Sequence, residues 1–197
     1  MKVEQVEELL IQSLEHERGG AKVYETAITC AVNPDLKKEW QTYLAETRKH
    51  AETLARLCDA IGIDPEKETP GRGIIRHFGA ALVEAMKMAI KTGDRAAAEL
   101  VACECVVNAE TKDHLDWTLI GKCAENLDGA RGLAIKAAYD EIEDHEDEHL
   151  YHAKGWCREL WVRSLGINAV LPPPEQRRTV KTAIGAAMAE QSAELAR

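Results

Sequence analysis

The sequence predicts an all-α protein: an antiparallel four-helix bundle with a long crossover between helices 2 and 3 and an additional C-terminal helix. Three observations predict it. Helix formers (Ala, Glu, Leu, Lys) dominate a chain of 197 residues that contains a single Phe and six Pro. Apolar residues recur at helical spacing along four long segments. The two halves of the chain also echo each other, so one helical hairpin is used twice.

The first helix is expected from Val3 to Ala31, because Val3, Leu10, Glu17, Tyr24 and Ala31 recur every seven residues. Asn33-Pro34-Asp35 breaks it and starts the next, with Pro34 at the first helical position. Helix 2 then runs to about Ile61, with Leu36, Tyr43, His50, Leu54 and Leu57 on its inner face. Gly62 to Gly73 reads as a loop, and a helical crossover through Ala80 to Ile90 follows it. Helix 3 is expected over Ala96 to Glu125 and helix 4 over Gly129 to Ser164, where Ile135, Ile142, His149 and Trp156 step by seven. Residues 1–165 thus form the bundle, and 166–197 a Pro-rich linker and an alanine-rich helix.

The repeat is specific. Glu17, Tyr24 and Cys30 match Glu110, Trp117 and Cys123, each 93 positions on. His50 and Cys58 match His149 and Cys157, each 99 on.

Charge and composition narrow the function classes. A net charge of −9 leaves no basic stripe for phosphates, which argues against nucleic acid. There is no apolar run of membrane-spanning length, and MKVEQVEELL carries acids where a secretory signal needs an apolar stretch. A cytoplasmic location is expected. The six cysteines show no C-x-x-C spacing, so they read as small core residues rather than as a metal knuckle.

Four stretches nevertheless place acids where a bundle helix should be apolar. They are Glu17, Glu46 with His50, Glu110, and Glu146 with His149. An inward Glu on two helices and a Glu plus His on the other two is the ligand set of a dinuclear metal site inside a four-helix bundle. Residues three or four apart share a helix face, which Glu146 and His149 satisfy at three and Glu46 and His50 at four. Thr47 holds the position three before His50 and cannot replace a carboxylate.

Four ionised carboxylates in such an interior are costly unless neutralised, and two divalent cations would balance them. Mixed carboxylate and imidazole ligation suits iron or manganese and is compatible with zinc. Around this set, His114 is an alternative ligand and His145 a substitute or a supporting group. Tyr24 and Trp117 lie two turns from Glu17 and Glu110, where they can cover the site or donate a hydrogen bond. His16 and His77 read as surface residues.

The stretches LEHERGGAKVYETAI, YLAETRKHAETLARL and EIEDHEDEHLYHAKGW resemble the ferritin-like superfamily of rubrerythrins, bacterioferritins and dinuclear-iron oxygenases. The segment ETRKHAETL is also similar to a small stress-associated bacterial branch of that superfamily. The resemblance spans roughly the first 165 residues. It implies a di-iron or di-manganese centre reacting with oxygen or peroxide, held by Glu17, Glu46, His50, Glu110, Glu146 and His149. In that scheme Glu46 and Glu146 bridge or chelate, Glu17 and Glu110 are terminal, and each His fixes one metal. The chain lacks a rubredoxin-type cysteine cluster, so electrons would come from an external donor. A homodimer is expected. Two other readings stay open: an iron-binding stress-response protein without turnover, and a metal-free helical interaction module.

Overall fold

The computed structural model of the chain describes residues 1–167. Among them the protein is all-helical, with α1 (Val3–Cys30), α2 (Pro34–Ala60), α3 (Pro70–Lys91), α4 (Arg95–Asn126) and α5 (Gly129–Ser164). The expected C-terminal helix lies outside the described residues. No described helix is long and apolar enough to cross a membrane.

Local chemistry sets the helix ends. The Asn33 side chain accepts hydrogen bonds from the Asp35 and Leu36 amides, with Pro34 pre-set for the first turn. Asp94 caps α4 through the Ala97 amide. Gly93, at a φ of 81°, makes the left-handed turn that separates α3 from α4.

The crossover begins earlier than its sequence suggests. Thr69 accepts a bond from the Arg72 amide and Pro70 opens α3, so residues 70–73 are helix rather than loop. Gly71 lets the Glu8 and Gln12 side chains lie close against the first turn of α3: a Cβ would fall 2.1 Å from Glu8 Oε1 and 2.2 Å from Gln12 Nε2, and those side-chain ends would have to move. Arg72 is buried and clasps the preceding loop. Its Nε donates to Glu15 at 2.7 Å, and its Nη1 to the Pro65 and Lys67 carbonyls at 2.8 and 3.1 Å.

Helices α1, α2, α4 and α5 pack in a closed ring, α1 and α5 each touching both α2 and α4, while α3 lies along α1 and α4. Cross-helix contacts give the directions. Glu17 meets Trp117 and Val32 meets Glu99, so α1 and α4 are antiparallel. Tyr43 meets His152 and Thr53 meets Glu141, so α2 and α5 are too. Arg48 reaches Glu25 between α1 and α2, and His114 reaches Asp147 between α4 and α5. Every neighbouring pair in the ring is therefore antiparallel. The strap α3 runs parallel to α1, close enough at Gly19 that a Cβ on Gly79 would lie 3.4 Å from its Cα.

The apolar interior is divided in two. One block gathers Val23, Tyr24, Ala27, Leu36, Trp40, Met86, Val106 and Trp156, and the other Leu10, Leu14, Leu54, Leu57, Trp117, Ile120, Ile135 and Ile142. Between the blocks, midway along the ring helices, lies a layer of buried acids and imidazoles.

Candidate metal centre

Each ring helix sends polar side chains into this layer from the middle of its length. They are Glu17 from α1, His50 from α2, Glu110 and Asp113 from α4, and Glu146 and His149 from α5, all at 3% exposure or less. Two groups of donor atoms converge. Glu17, His50 and Glu146 form one, and Glu110, Asp113 and Glu146 the other, with the atoms of each group within 4.8 Å of one another. Glu146 belongs to both. These are buried clusters able to hold a metal ion.

The protein itself leaves the inward-facing atoms of the layer unsatisfied. Glu17 Oε2, Glu110 Oε2, Asp113 Oδ1 and both oxygens of Glu146 are buried without a hydrogen-bond partner. So are Nδ1 of His50 and of His149. His50 Nδ1 stands 2.8 Å from Glu146 Oε1 and 3.6 Å from Glu17 Oε1, and His149 Nδ1 stands 3.6 Å from Glu110 Oε2. Buried polar groups normally find partners, and a concentration of orphans calls for an ion, a water or a proton to join them.

The outward-facing atoms, by contrast, are held. Trp117 Nε1 donates to Glu17 Oε1 at 2.9 Å, which leaves Oε2 facing inward. His149 Nε2 lies 3.0 Å from Glu46 Oε2, and His50 Nε2 lies 3.3 Å from His145 Nδ1. With the proton on Nε2, both imidazoles donate outward and present the Nδ1 lone pair to the layer. A carboxylate behind an imidazole is the arrangement that orients histidine ligands at metal sites. Tyr24 is fully buried beside Glu110, and its ring meets His149 edge-on at 6.3 Å.

Burial and crowding of like charges dominate the electrostatics. Burial first, then Glu146, pushes Glu17 well above the ordinary carboxylate range, and the Trp117 N–H offsets this only in part. Burial, then Glu146 and Glu17, does the same to Asp113. Glu146 is pushed up to about 8 by burial and by Glu110. His50 is pushed down to about 3 by burial and by the neighbouring His149 and His145. Burial pulls His149 down as well, but Glu110 and Glu46 outweigh it and lift the imidazole to about 10. For Glu46 burial is likewise outweighed, and its bond to His149 holds it below the usual range. Without a cation, this layer keeps protons to neutralise itself.

The other sequence-predicted residues stand around the layer. Glu46 is not among the converging donors. Its side chain is 25% exposed and stands behind His149. Thr47 takes the inward position instead, with its Cγ2 3.5 Å from where a Cβ on Gly20 would sit. His114 is half-buried and pairs with Asp147 at 2.7 Å, outside the layer. His145 is exposed and stacks on His50 at 5.5 Å. His16, read as a surface residue, is half-buried and lies 3.0 Å from the Ala109 carbonyl through Nε2.

The residue missed outright is Asp113. Its signal was available, since it stands three residues after Glu110, the spacing that joins Glu146 to His149. A second polar relation was also missed. The Tyr43 ring packs 4.0 Å from His149, and its hydroxyl lies 2.6 Å from His152 Nδ1.

No family model, no curated protein and no solved structure matches this chain.

Proposed function

We propose that the protein is a ferritin-like four-helix bundle whose polar layer holds a dinuclear iron or manganese centre that reacts with oxygen or peroxide. The observation that carries this reading is Glu146, a buried carboxylate common to both donor groups whose two oxygens have no hydrogen-bond partner. The donor set, carboxylates with two imidazoles, fits iron or manganese and is compatible with zinc. Glu17, His50 and Glu146 would hold one ion, and Glu110, Asp113 and Glu146 the other, with His149 beside the second.

The bound metals would supply the electrons and Lewis acidity that oxygen or peroxide chemistry requires. The chain's own residues do the rest. Trp117 fixes one oxygen of Glu17, while Glu46 and His145 fix the tautomers of His149 and His50. The Tyr24 hydroxyl, buried beside Glu110, would donate a hydrogen bond toward that carboxylate. The apolar blocks on either side of the layer exclude bulk water. All six cysteines are free thiols spread over several helices, so electrons would come from an external donor. A homodimer belongs to the same proposal.

The test is elemental analysis of protein purified without chelator, beside a Glu17→Ala/His149→Ala variant. The expected result is about two iron or manganese ions per chain, lost in the variant. No metal after anaerobic loading with ferrous iron would overturn the reading. Metal binding without multiple turnover of peroxide, or of ferrous iron with oxygen, would assign the protein to iron binding rather than catalysis.

A further inference from the structure

Between α4 and α5 a cleft of about 240 Å³ opens from the surface toward the polar layer. Glu146 lines it, although this residue is 1% exposed and both its oxygens lack hydrogen-bond partners. Trp117, whose indole holds Glu17, lines it as well. In the wall of the cleft the Tyr139 ring packs directly on Gly121. A Cβ there would stand 2.7 Å from the Tyr139 ring, which forms part of the lining.

The outer lining is acidic: Glu125, Glu143 and Asp147. Two of these are already engaged. Lys122, also in the lining, pairs with Glu125 at 2.8 Å, and Asp147 pairs with His114. Glu143 sits beside the Tyr139 hydroxyl and stays exposed. Even with Lys122 counted, the balance is negative. A polar, anionic mouth above a buried unpartnered carboxylate suits a small cation rather than an anion or an apolar ligand.

We propose that this cleft is the passage by which divalent cations reach the layer, with Glu146 receiving each ion at its floor. This rests on the dinuclear reading above. The strap α3 covers α1 and α4, and the apolar groove formed by Met1, Val6, Leu9, Leu119 and Cys123 contains none of the layer's residues. Negative rims of this kind raise the arrival rate of ions without changing the final affinity.

The experiment follows the loading of full-length, chelator-stripped protein with cobalt(II) by stopped-flow, reading visible ligand-field absorption and tryptophan quenching. Three proteins are compared: the natural chain, Glu143→Gln/Asp147→Asn, and Thr118→Trp, which fills the cleft from its exposed wall. Both variants are expected to reach the natural endpoint in cobalt bound and in spectrum. The rim variant should load about tenfold more slowly at low salt, with a weaker dependence on ionic strength. The filled variant should load more slowly at every salt concentration.

Natural loading rates in both variants, with the same endpoint, would overturn the passage and leave the metal centre standing. A lower endpoint in the rim variant would make those acids ligands rather than a rim, which also overturns it. Failure of the natural chain to take up cobalt would overturn the dinuclear reading and this inference together.

Discussion

Replacing Glu146 by Gln should stabilise the protein when metal is withheld and weaken it when metal is supplied. The carboxyl is pushed from an ordinary 4.5 up to about 8, so the folded chelated protein holds a proton at pH 7 that the unfolded chain has released. The sign follows directly. Because the folded value is raised, stability from this group is whole below about pH 4.5 and declines as the pH rises through 8. At pH 7 the penalty is at most about 3 kcal/mol, at roughly 1.4 kcal/mol per pH unit.

Gln keeps the shape and carries no charge, so that penalty disappears. For a chain of this size the gain corresponds to a rise in melting temperature of roughly 6–12 °C. At pH 5 the same substitution should gain less than about 1 kcal/mol. The assay is thermal unfolding followed by circular dichroism at pH 5 and pH 7, in chelator and in manganese. In manganese the stabilisation seen for the natural chain should shrink in the variant, because a carboxylate shared by both donor groups is gone. An equal loss of stability at both pH values in chelator would refute the reasoning, since Glu146 would then be an ordinary packing residue.

Asp113→Asn should lower manganese content from about two ions per chain to about one, measured by elemental analysis after equilibrium dialysis. Two retained ions would remove Asp113 from the donor set. Glu46→Gln should cost about ten- to a hundredfold in metal affinity, read by competition with a chromophoric chelator, because it removes the carboxylate charge behind the outer nitrogen of His149. Metal uptake should release protons, and apparent affinity should climb as the pH rises, because Glu17, Asp113, Glu146 and His149 all hold protons more tightly than usual. A pH-indicator titration at weak buffering checks this, and uptake without proton release contradicts it. Arg72→Ala should destabilise the fold by about 3–5 kcal/mol, since it breaks a buried ion pair and strips two loop carbonyls of their donor. Urea unfolding measures that loss.

The helices were legible in the sequence because seven-residue spacing and Asn33-Pro34 leave little freedom of interpretation. The start of α3 was not, because two glycines among residues 70–73 suggested a loop. What decides the point is the Thr69 cap with Pro70, together with the close approach of the Glu8 and Gln12 side chains at Gly71. Within the layer, the internal repeat relates further residues. Taken at 99 positions, the counterpart of Glu146 is Thr47 and that of Glu46 is His145. Glu46 and His145 accordingly play matching parts behind His149 and His50. Taken at 93, the counterpart of Asp113 is Gly20, which lies against Thr47. The scaffold is repeated while its acids are not. The inward acids Asp113 and Glu146 have no carboxylate counterpart in the first half, and Glu46 is marked in the sequence only by its four-residue spacing to His50.

The antiparallel packing of every neighbouring pair in the ring also governs how charge is balanced inside. A helix macrodipole acts mainly within the first and last turns, and antiparallel neighbours cancel one another's fields. Glu17, Glu110, Asp113 and Glu146 all lie more than ten residues from either end of their helices. The backbone therefore provides almost no positive potential where the acids are concentrated. Elsewhere, anion-binding proteins aim helix N-termini at negative charge, and among the described residues none is aimed at this layer. Whatever neutralises this layer must enter it physically, as protons or as metal cations, and the exchange of one for the other sets the chemistry the interior can perform.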